Sequence, residues 1–136
     1  MHPNRSIPKS TVIPVLDYPD IAKAAAWLCD AFGFTVRLTI GDHRIQMNVG
    51  EQGAVVLRQS DQALTHMDSV LVRIADVKAH HAHSSKHGAR VIGEPSDQPF
   101  GERQYSVADL VGRSWTFSET IGDVDPRDWG GEPGFL

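Results

Sequence analysis

The chain has 136 residues, of which 40% are hydrophobic and 22% charged, with a net charge of −4 and one cysteine. This composition is typical of a globular protein with one domain or two small fused modules. Basic residues form no stripe, no apolar run reaches the ~20 residues that span a bilayer, and the N-terminus has no apolar secretion signal. We therefore expect a cytoplasmic protein, without an intrachain disulfide, that binds neither nucleic acid nor membrane.

The first half of the chain predicts one βαβββ module behind a loose lead-in. An apolar run over 11–16 predicts a strand, and Asp20 is a suitable N-cap for a helix over 21–31. Gly33 is expected to end this helix in a left-handed conformation. Turn residues then separate three further apolar runs, which predict strands at 35–40, 43–49 and 54–58.

The second half of the chain predicts the same order again. A strand over 69–74 precedes Asp76, which is a suitable N-cap for a helix over 77–87. Proline and glycine predict a loop over 95–101, and a turn is expected at 109–112. The remaining strands of this half are predicted at 90–94, 104–107 and 113–118.

The repeated order, with a period of roughly 55 residues, indicates two similar modules in an α+β fold. We expect them to form a curved mixed sheet around a cup-shaped cavity, with the helices outside, so that function lies in the cup. The predicted organisation is a lead-in at 1–10, a first module at 11–60, a linker at 61–68, a second module at 69–121 and a C-terminal tail at 122–136.

Two stretches and the order of the elements resemble one known family. The segment 27–34 (WLCDAFGF) is similar to the end of that family's first helix, and 100–117 is similar to its strand-turn-strand motif, with Leu110 where proline is usual. The resemblance covers 11–121 and is to the vicinal oxygen chelate superfamily, which includes glyoxalase I, extradiol dioxygenases and fosfomycin- and bleomycin-resistance proteins. It implies the fold more strongly than the function, because one fold serves many chemistries.

The resemblance also implies four positions at which metalloenzymes of the family hold a divalent cation. In this sequence those positions are Ile13 or a neighbour, Val56 or Leu57, Ser69 and Thr116. Hydrocarbon side chains cannot bind a cation, and neutral hydroxyls are poor ligands without anionic neighbours. We therefore predict no bound metal and no cofactor. His66, interpreted as a solvent-facing linker histidine, is the nearest substitute ligand.

Alternation along the predicted strands assigns polar side chains to the cup. The candidate ligand-binding residues are Asp17, Arg44, Gln46, Asn48, Ser69, Arg73 and Thr116. An inward-facing arginine needs a counter-charge, because burying it unpaired is costly. Arg73 could pair with Asp17 and Arg44 with another carboxylate, or either could lie at a wet rim. Alternatively, one or both bind an anionic or polar small molecule.

The second predicted helix is rich in histidine. It carries His80, His81, His83 and His87. His83 and His87 have the i, i+4 spacing that can chelate a transition metal. No carboxylate accompanies them at helical spacing, so we favour a solvated polar face with at most adventitious metal binding.

Three other candidates are interpreted as structural. Glu102 and Asp109 flank a predicted strand and are expected to cap turns. Cys29 lies in mid-helix and is expected to be a buried thiol rather than a nucleophile.

Three functions remain open from the sequence, and no catalytic residue is identified. We favour a metal-free protein of the glyoxalase and bleomycin-resistance type that binds a small molecule in the cup, as in sequestration. The alternatives are a glyoxalase-like lyase or dioxygenase that uses a divalent metal, and a metal-independent isomerase, so enzymatic activity is left undecided. A homodimer is expected, with or without exchange of modules between chains.

Overall fold

The computed structural model describes residues 3–61 and 69–134, and the chain divides into two compact units, 1–67 and 68–136. The first unit contains β1 (Val15–Tyr18), α1 (Ile21–Phe32), β2 (Thr35–Ile40), β3 (Arg44–Val49) and β4 (Gly53–Gln59). The second contains β5 (Val70–Arg73), α2 (Val77–Lys86), β6 (Arg90–Asp97), β7 (Glu102–Ala108), β8 (Ser114–Thr120) and a 3₁₀ turn (Pro126–Trp129). The predicted α+β fold with two βαβββ modules is confirmed. Neither helix has the length and apolar character needed to cross a membrane within the described residues.

Each unit forms its own four-stranded mixed sheet. The strand orders are β1-β4-β3-β2 and β5-β8-β7-β6, so the first and last strands of each unit are neighbours. Those neighbours run parallel, which requires the crossover that each helix provides, and the other pairs are antiparallel. The parallel register places Asp17 beside Arg58 in the first sheet and Arg73 beside Ser118 in the second.

Both helices begin with the same pair of side-chain caps. The predicted N-caps are confirmed: Asp20 and Asp76 each accept a hydrogen bond from the backbone N–H three residues on, at 3.1 and 3.0 Å. A residue of the last strand accepts from the first N–H of the helix, Gln59 at 3.0 Å in the first unit and Glu119 at 2.9 Å in the second. This second cap ties the start of each helix to its own sheet.

The apolar core of each unit lies between its helix and its sheet. Fully or almost fully buried side chains of the first core include Ala24, Ala25, Leu28, Ile45, Met47 and Leu57. Those of the second include Val77, Tyr105, Val107, Trp115 and Phe117. Burying one side chain the size of Leu28 contributes about 1.5–3 kcal/mol, so each core is a principal source of its unit's stability.

The largest differences between predicted and observed strand bounds are in β1 and β6. β1 runs from Val15 to Tyr18 rather than over 11–16, because its pairing with β4 begins at Val15. β6 continues through Pro95 to Asp97, so the predicted loop over 95–101 is wrong in its first part. Proline is tolerated there because β6 is the edge strand of its sheet, and the register with β7 shifts between Gly93 and Ser96.

The lead-in is held against the first sheet, contrary to the prediction of a loose segment. We call residues 3–10 the N-terminal strap. Pro8 is buried, and the Ser10 hydroxyl donates a hydrogen bond to the Gln52 carbonyl at 2.8 Å. The predicted linker over 61–68 lies outside the described residues except for its first position, as do the last two residues of the tail.

Candidate functional site

Each sheet has one face covered by its own helix and an opposite face, which we call the open face. Because side chains alternate along a strand, buried Tyr105 and Val107 under α2 place Gln104 and Ser106 on the open face of the second sheet. The same alternation and register assign polar open-face residues Asp17, Arg44, Gln46, Asn48 and Arg58 in the first unit, and Arg73, Glu102, Gln104, Ser106, Thr116 and Ser118 in the second. Six of the seven predicted ligand-binding residues therefore lie on open faces, and the seventh, Ser69, is exposed just before β5.

An internal ion pair neutralises one arginine of the first open face. The Arg58 Nε and Nη2 atoms donate to the two carboxylate oxygens of Asp17 at 2.6 and 3.0 Å, a two-pronged geometry that raises the pKa of Arg58. Asp17 is thus a partner of Arg58, which sequence reasoning had not placed at the site. Arg44 lies opposite Arg58 in the β3–β4 register and has no hydrogen bond or ion pair to any of the described residues.

The N-terminal strap covers part of the first open face through its backbone carbonyls. Arg37 donates from Nη2 to the carbonyls of Arg5 and Ile7, at 2.9 and 3.2 Å, and Gln46 donates from Nε2 to that of Ser6 at 2.9 Å. Arg37 also donates to the Gln46 side-chain oxygen, and Gln46 is only 5% exposed. The predicted ligand-binding amide of Gln46 is therefore engaged by the chain itself.

Arg37 reaches this position because the β2–β3 register shifts between Val36 and Leu38. The shift leaves Arg37 outside the paired positions, as the extra residue of a β-bulge would be. The remaining predicted residue of this face, Asn48, donates to the Thr35 hydroxyl at 3.2 Å.

Hydroxyl and amide groups pair with one another on the second open face. The hydroxyls of Ser106 and Thr116 are hydrogen-bonded at 2.8 Å. Gln104 donates to the Ser118 hydroxyl at 3.1 Å, and that hydroxyl donates to the Glu102 carboxylate at 2.7 Å. The result is a row of fixed polar groups across β7 and β8.

Glu102 stands at the end of this row and was wrongly expected to cap a turn. It is the first residue of β7, and hydrogen bonds from Ser118 and Thr120, with the nearby charge of Arg73, hold the pKa of its carboxyl below the ordinary value. Arg73 is exposed, and its single hydrogen bond to the described residues is a long one, 3.5 Å from Nη2 to the Thr120 hydroxyl.

Asp109 organises a turn, as predicted. Its carboxylate accepts from the backbone N–H groups of Val111 and Arg113, at 3.1 and 3.0 Å, and from the indole N–H of Trp115 at 3.0 Å. Cys29 is half-buried, and burial raises the pKa of its thiol, which makes the thiolate scarce.

The predicted solvated face of histidines holds for only part of α2. His80 is half-buried, with its Nδ1 atom hydrogen-bonded to the Tyr105 hydroxyl and its ring 4.0 Å from that of Phe117 between centroids. The Nε2 atom of His81 lies 3.1 Å from the Glu94 carboxylate. Aromatic packing against the sheet explains why these two side chains leave the solvent. The predicted exposure is observed for the two histidines at the end of the helix.

The positions that the family uses for a metal carry unsuitable side chains. Leu57 is in the core, Val56 is 8% exposed, and the Thr116 hydroxyl is bonded to Ser106. Within 3–61 and 69–134, no three or more His, Cys, Asp or Glu side chains come close enough to hold one ion. His66, the substitute ligand considered from sequence, lies outside the described residues.

Comparison with known proteins gives one matching family and a set of similar solved structures. Residues 14–117 match the model of the Glyoxalase/Bleomycin resistance protein/Dioxygenase superfamily. The chain is 32% identical to TioX from Micromonospora sp. ML1, with a TM-score of 0.70, and the match covers 85% of this chain and 98% of TioX.

Two more distant structures share the fold. A lactoylglutathione lyase from Agrobacterium tumefaciens is 17% identical, with a TM-score of 0.67, over 82% of this chain and 94% of its own. A glyoxalase/bleomycin resistance protein/dioxygenase from Nocardioides is 13% identical, with a TM-score of 0.67, over 93% and 89% of the two chains. No curated protein matches the sequence significantly. At these identities the last two structures establish similarity of fold alone.

Proposed function

Because the chain belongs to the Glyoxalase/Bleomycin resistance protein/Dioxygenase superfamily, we propose that it binds a small anionic or polar molecule through open-face arginines, without a bound metal. Membership of the superfamily leaves the chemistry open, since its fold serves both enzymes and binding proteins. The proposal therefore depends on the residues of this chain.

The observation that carries the proposal is the unequal engagement of the open-face arginines. Arg58 is neutralised by Asp17, and Arg37 is engaged by backbone carbonyls. Among the described residues, Arg44 has no such partner and Arg73 has one hydrogen bond, at 3.5 Å. A guanidinium whose donors are not engaged suits a carboxylate or phosphate, which it can bind through two parallel hydrogen bonds.

The fixed row of hydroxyls and amides beside Arg73 supports specific binding. Ser106, Thr116, Gln104 and Ser118 already hold one another, so ordering them around a ligand costs little further entropy. Glu102 keeps the second open face close to neutral in charge, which favours a ligand with both polar and anionic groups over a simple anion.

The absence of suitable ligands at the family's metal positions supports binding without a cation. Val56 offers hydrocarbon, and the hydroxyl of Thr116 is neutral and already bonded. These groups do not fit a divalent ion, which prefers carboxylate oxygen or imidazole nitrogen.

We also propose that the protein forms a homodimer. Val15 on β1 and Leu71 on β5 are 45% and 66% exposed, although both are large apolar side chains on the edge strands of their sheets. Exposed apolar edges favour association. Light scattering after gel filtration tests the proposal, and a monomer at micromolar concentration would reject it.

A thermal-shift screen tests the proposed function. The probes are small carboxylates and phosphate monoesters, each paired with its neutral amide or alcohol, added to untagged protein that has been treated with a chelator. A ligand present at one hundred times its Kd stabilises by about 2.7 kcal/mol, enough to raise the Tm by several degrees. We expect stabilisation by one or more anionic members and not by their neutral partners.

Arg73→Gln and Arg44→Gln are the informative variants, and Arg103→Gln is the matched control. Arg103 lies on the helix side of β7, paired with Asp97 at 2.7 Å, so its loss removes one positive charge away from the open face. Binding that survives in both open-face variants, or that needs added divalent metal, contradicts the proposal and favours the metal-dependent lyase or dioxygenase.

A further inference from the structure

The C-terminal end of α2 carries two exposed histidines on the same side, one in the last turn and one at the C-cap. His83 and His87 are one turn apart, and their ring centroids are 4.4 Å from each other with planes inclined at 33°. Two imidazoles at this spacing can bind one cation with modest changes of side-chain rotamer.

A hydrogen bond fixes which nitrogen of His87 is available to a metal. The His87 Nδ1 atom lies 2.9 Å from the backbone carbonyl oxygen of His83. A carbonyl oxygen can only accept, so Nδ1 carries the proton and donates it. In a neutral imidazole the lone pair then resides on Nε2, and a backbone carbonyl that orients a ligating histidine in this way is a common feature of metal sites.

The other two histidines of α2 have different surroundings. His80 is hydrogen-bonded to Tyr105, and His81 lies against Glu94 at 3.1 Å. They contribute to packing between α2 and its sheet, whereas His83 and His87 are exposed. The four histidines therefore form two pairs, one that packs against the sheet and one that is exposed at the surface.

The end of the helix is electrostatically suited to a cation in spite of Lys86. The last backbone carbonyls of a helix carry about half a negative charge, which favours bound positive charge and offsets the neighbouring ammonium. No carboxylate joins the pair to make a group of three within the described residues, so waters would complete the coordination. Imidazole without carboxylate selects Cu²⁺, Ni²⁺ or Zn²⁺ over Mg²⁺ or Ca²⁺.

From these observations we infer that His83 and His87 form a two-histidine surface site for a late first-row divalent cation. The site lies at the end of α2, on the helix side of the second sheet, and is separate from the open face of that sheet.

Isothermal titration of full-length, untagged, chelator-treated protein with CuCl₂, NiCl₂ and ZnCl₂ tests the inference. We expect one equivalent of Cu²⁺ or Ni²⁺ to bind to the wild type, and this binding to be lost in His83→Gln and in His87→Gln. His81→Gln is the matched control and should bind as the wild type does. MgCl₂ should give no heat of binding.

A second readout locates the ion. Cu²⁺ is paramagnetic and broadens amide resonances near its site, so the broadening should be centred on the last turn of α2. Absence of binding to the wild type, undiminished binding to either His83→Gln or His87→Gln, or broadening centred elsewhere would overturn the inference. Because both side chains are exposed, the variants should retain the unfolding midpoint of the wild type.

Discussion

The two units have the same element order and the same helix caps, yet their cores are held by different interactions. Counted from the two N-caps, Ala24 and Leu28 of α1 correspond to His80 and Ser84 of α2. The pairing of the central strands makes Ile45 equivalent to Tyr105. The first core is therefore hydrocarbon throughout this layer, whereas the second contains a hydrogen-bonded group.

The hydrogen-bonded group centres on the Tyr105 hydroxyl. It is bonded to the Ser84 hydroxyl at 2.9 Å and to His80, and Ser84 itself is fully buried. Burial raises the pKa of Tyr105, so the phenol stays protonated and can donate. A layer of packed side chains can thus be replaced by polar groups when every member finds a partner.

The largest loss of stability is expected when the carboxylate that organises the β7–β8 turn is removed. Asp109→Ala deprives two backbone N–H groups and the Trp115 indole of their acceptor in a buried place. We expect a loss of about 3–5 kcal/mol in the free energy of unfolding, measured by urea denaturation.

The matched control lies in the corresponding turn of the first unit. Gly50 takes a φ of 64° there, as Gly112 takes 88° in the β7–β8 turn, but the acid of this first turn, Glu51, is exposed. Glu51→Ala in that turn should leave the unfolding midpoint unchanged. A comparable loss in both variants would show that the difference between the turns is unimportant.

The second test measures whether Ser84 and Tyr105 act as a pair. Tyr105→Phe and Ser84→Ala should each cost about 1–3 kcal/mol, since each leaves a buried polar partner with fewer hydrogen bonds. The loss of stability in the double variant should be smaller than the sum of the two single losses, by about 0.5–3 kcal/mol. Losses that add fully, as for unconnected sites, would contradict the pairing.

The third test concerns the N-terminal strap, which covers part of the first open face. Arg37→Ala removes the donor to two strap carbonyls, and we expect a loss of about 0.5–1.5 kcal/mol in stability. Trypsin cleavage after Lys9 should also become faster. Arg90→Ala, an exposed substitution outside the strap, is the control, and equal cleavage rates in the two variants would argue against a held strap.

The smallest expected effect concerns Glu102, whose pKa is lowered in the folded state. The stabilisation that Glu102 contributes is fully present above the pKa of a glutamate in the unfolded chain, about 4.3. It is lost as the pH falls through the lower pKa of Glu102 in the folded protein. Glu102→Gln should therefore show a shallower loss of stability than the wild type below about pH 4.3. Parallel curves for the two proteins would exclude this contribution.

Local signals made most of the fold predictable. Asp20, Asp76 and Gly33 mark helix ends through contacts within a few residues, so their roles follow from the sequence alone. The end of β6 did not follow, because Pro95 is acceptable only where a strand lies at the edge of a sheet. That position is decided by pairing along the whole chain.

The open-face residues were predictable as a set but not in their partners. Alternation placed Arg44, Gln46 and Arg73 on the correct side of their strands. The Asp17–Arg58 pair depends on the parallel register of β1 and β4, for which the sequence carries no local signal. Arg37 was missed because a register shift removes it from simple alternation.

The most direct test of metal-free anion binding uses the best anion from the thermal-shift screen. Its Kd should be measured by isothermal titration for chelator-treated wild type and for the Arg44→Gln/Arg73→Gln double variant. We predict that the stripped wild type binds as tightly as untreated protein and that the double variant binds at least about tenfold more weakly, the effect of losing a charge-assisted hydrogen bond. Binding that disappears on chelation and returns with a divalent cation, or that is unchanged in the double variant, would contradict the account.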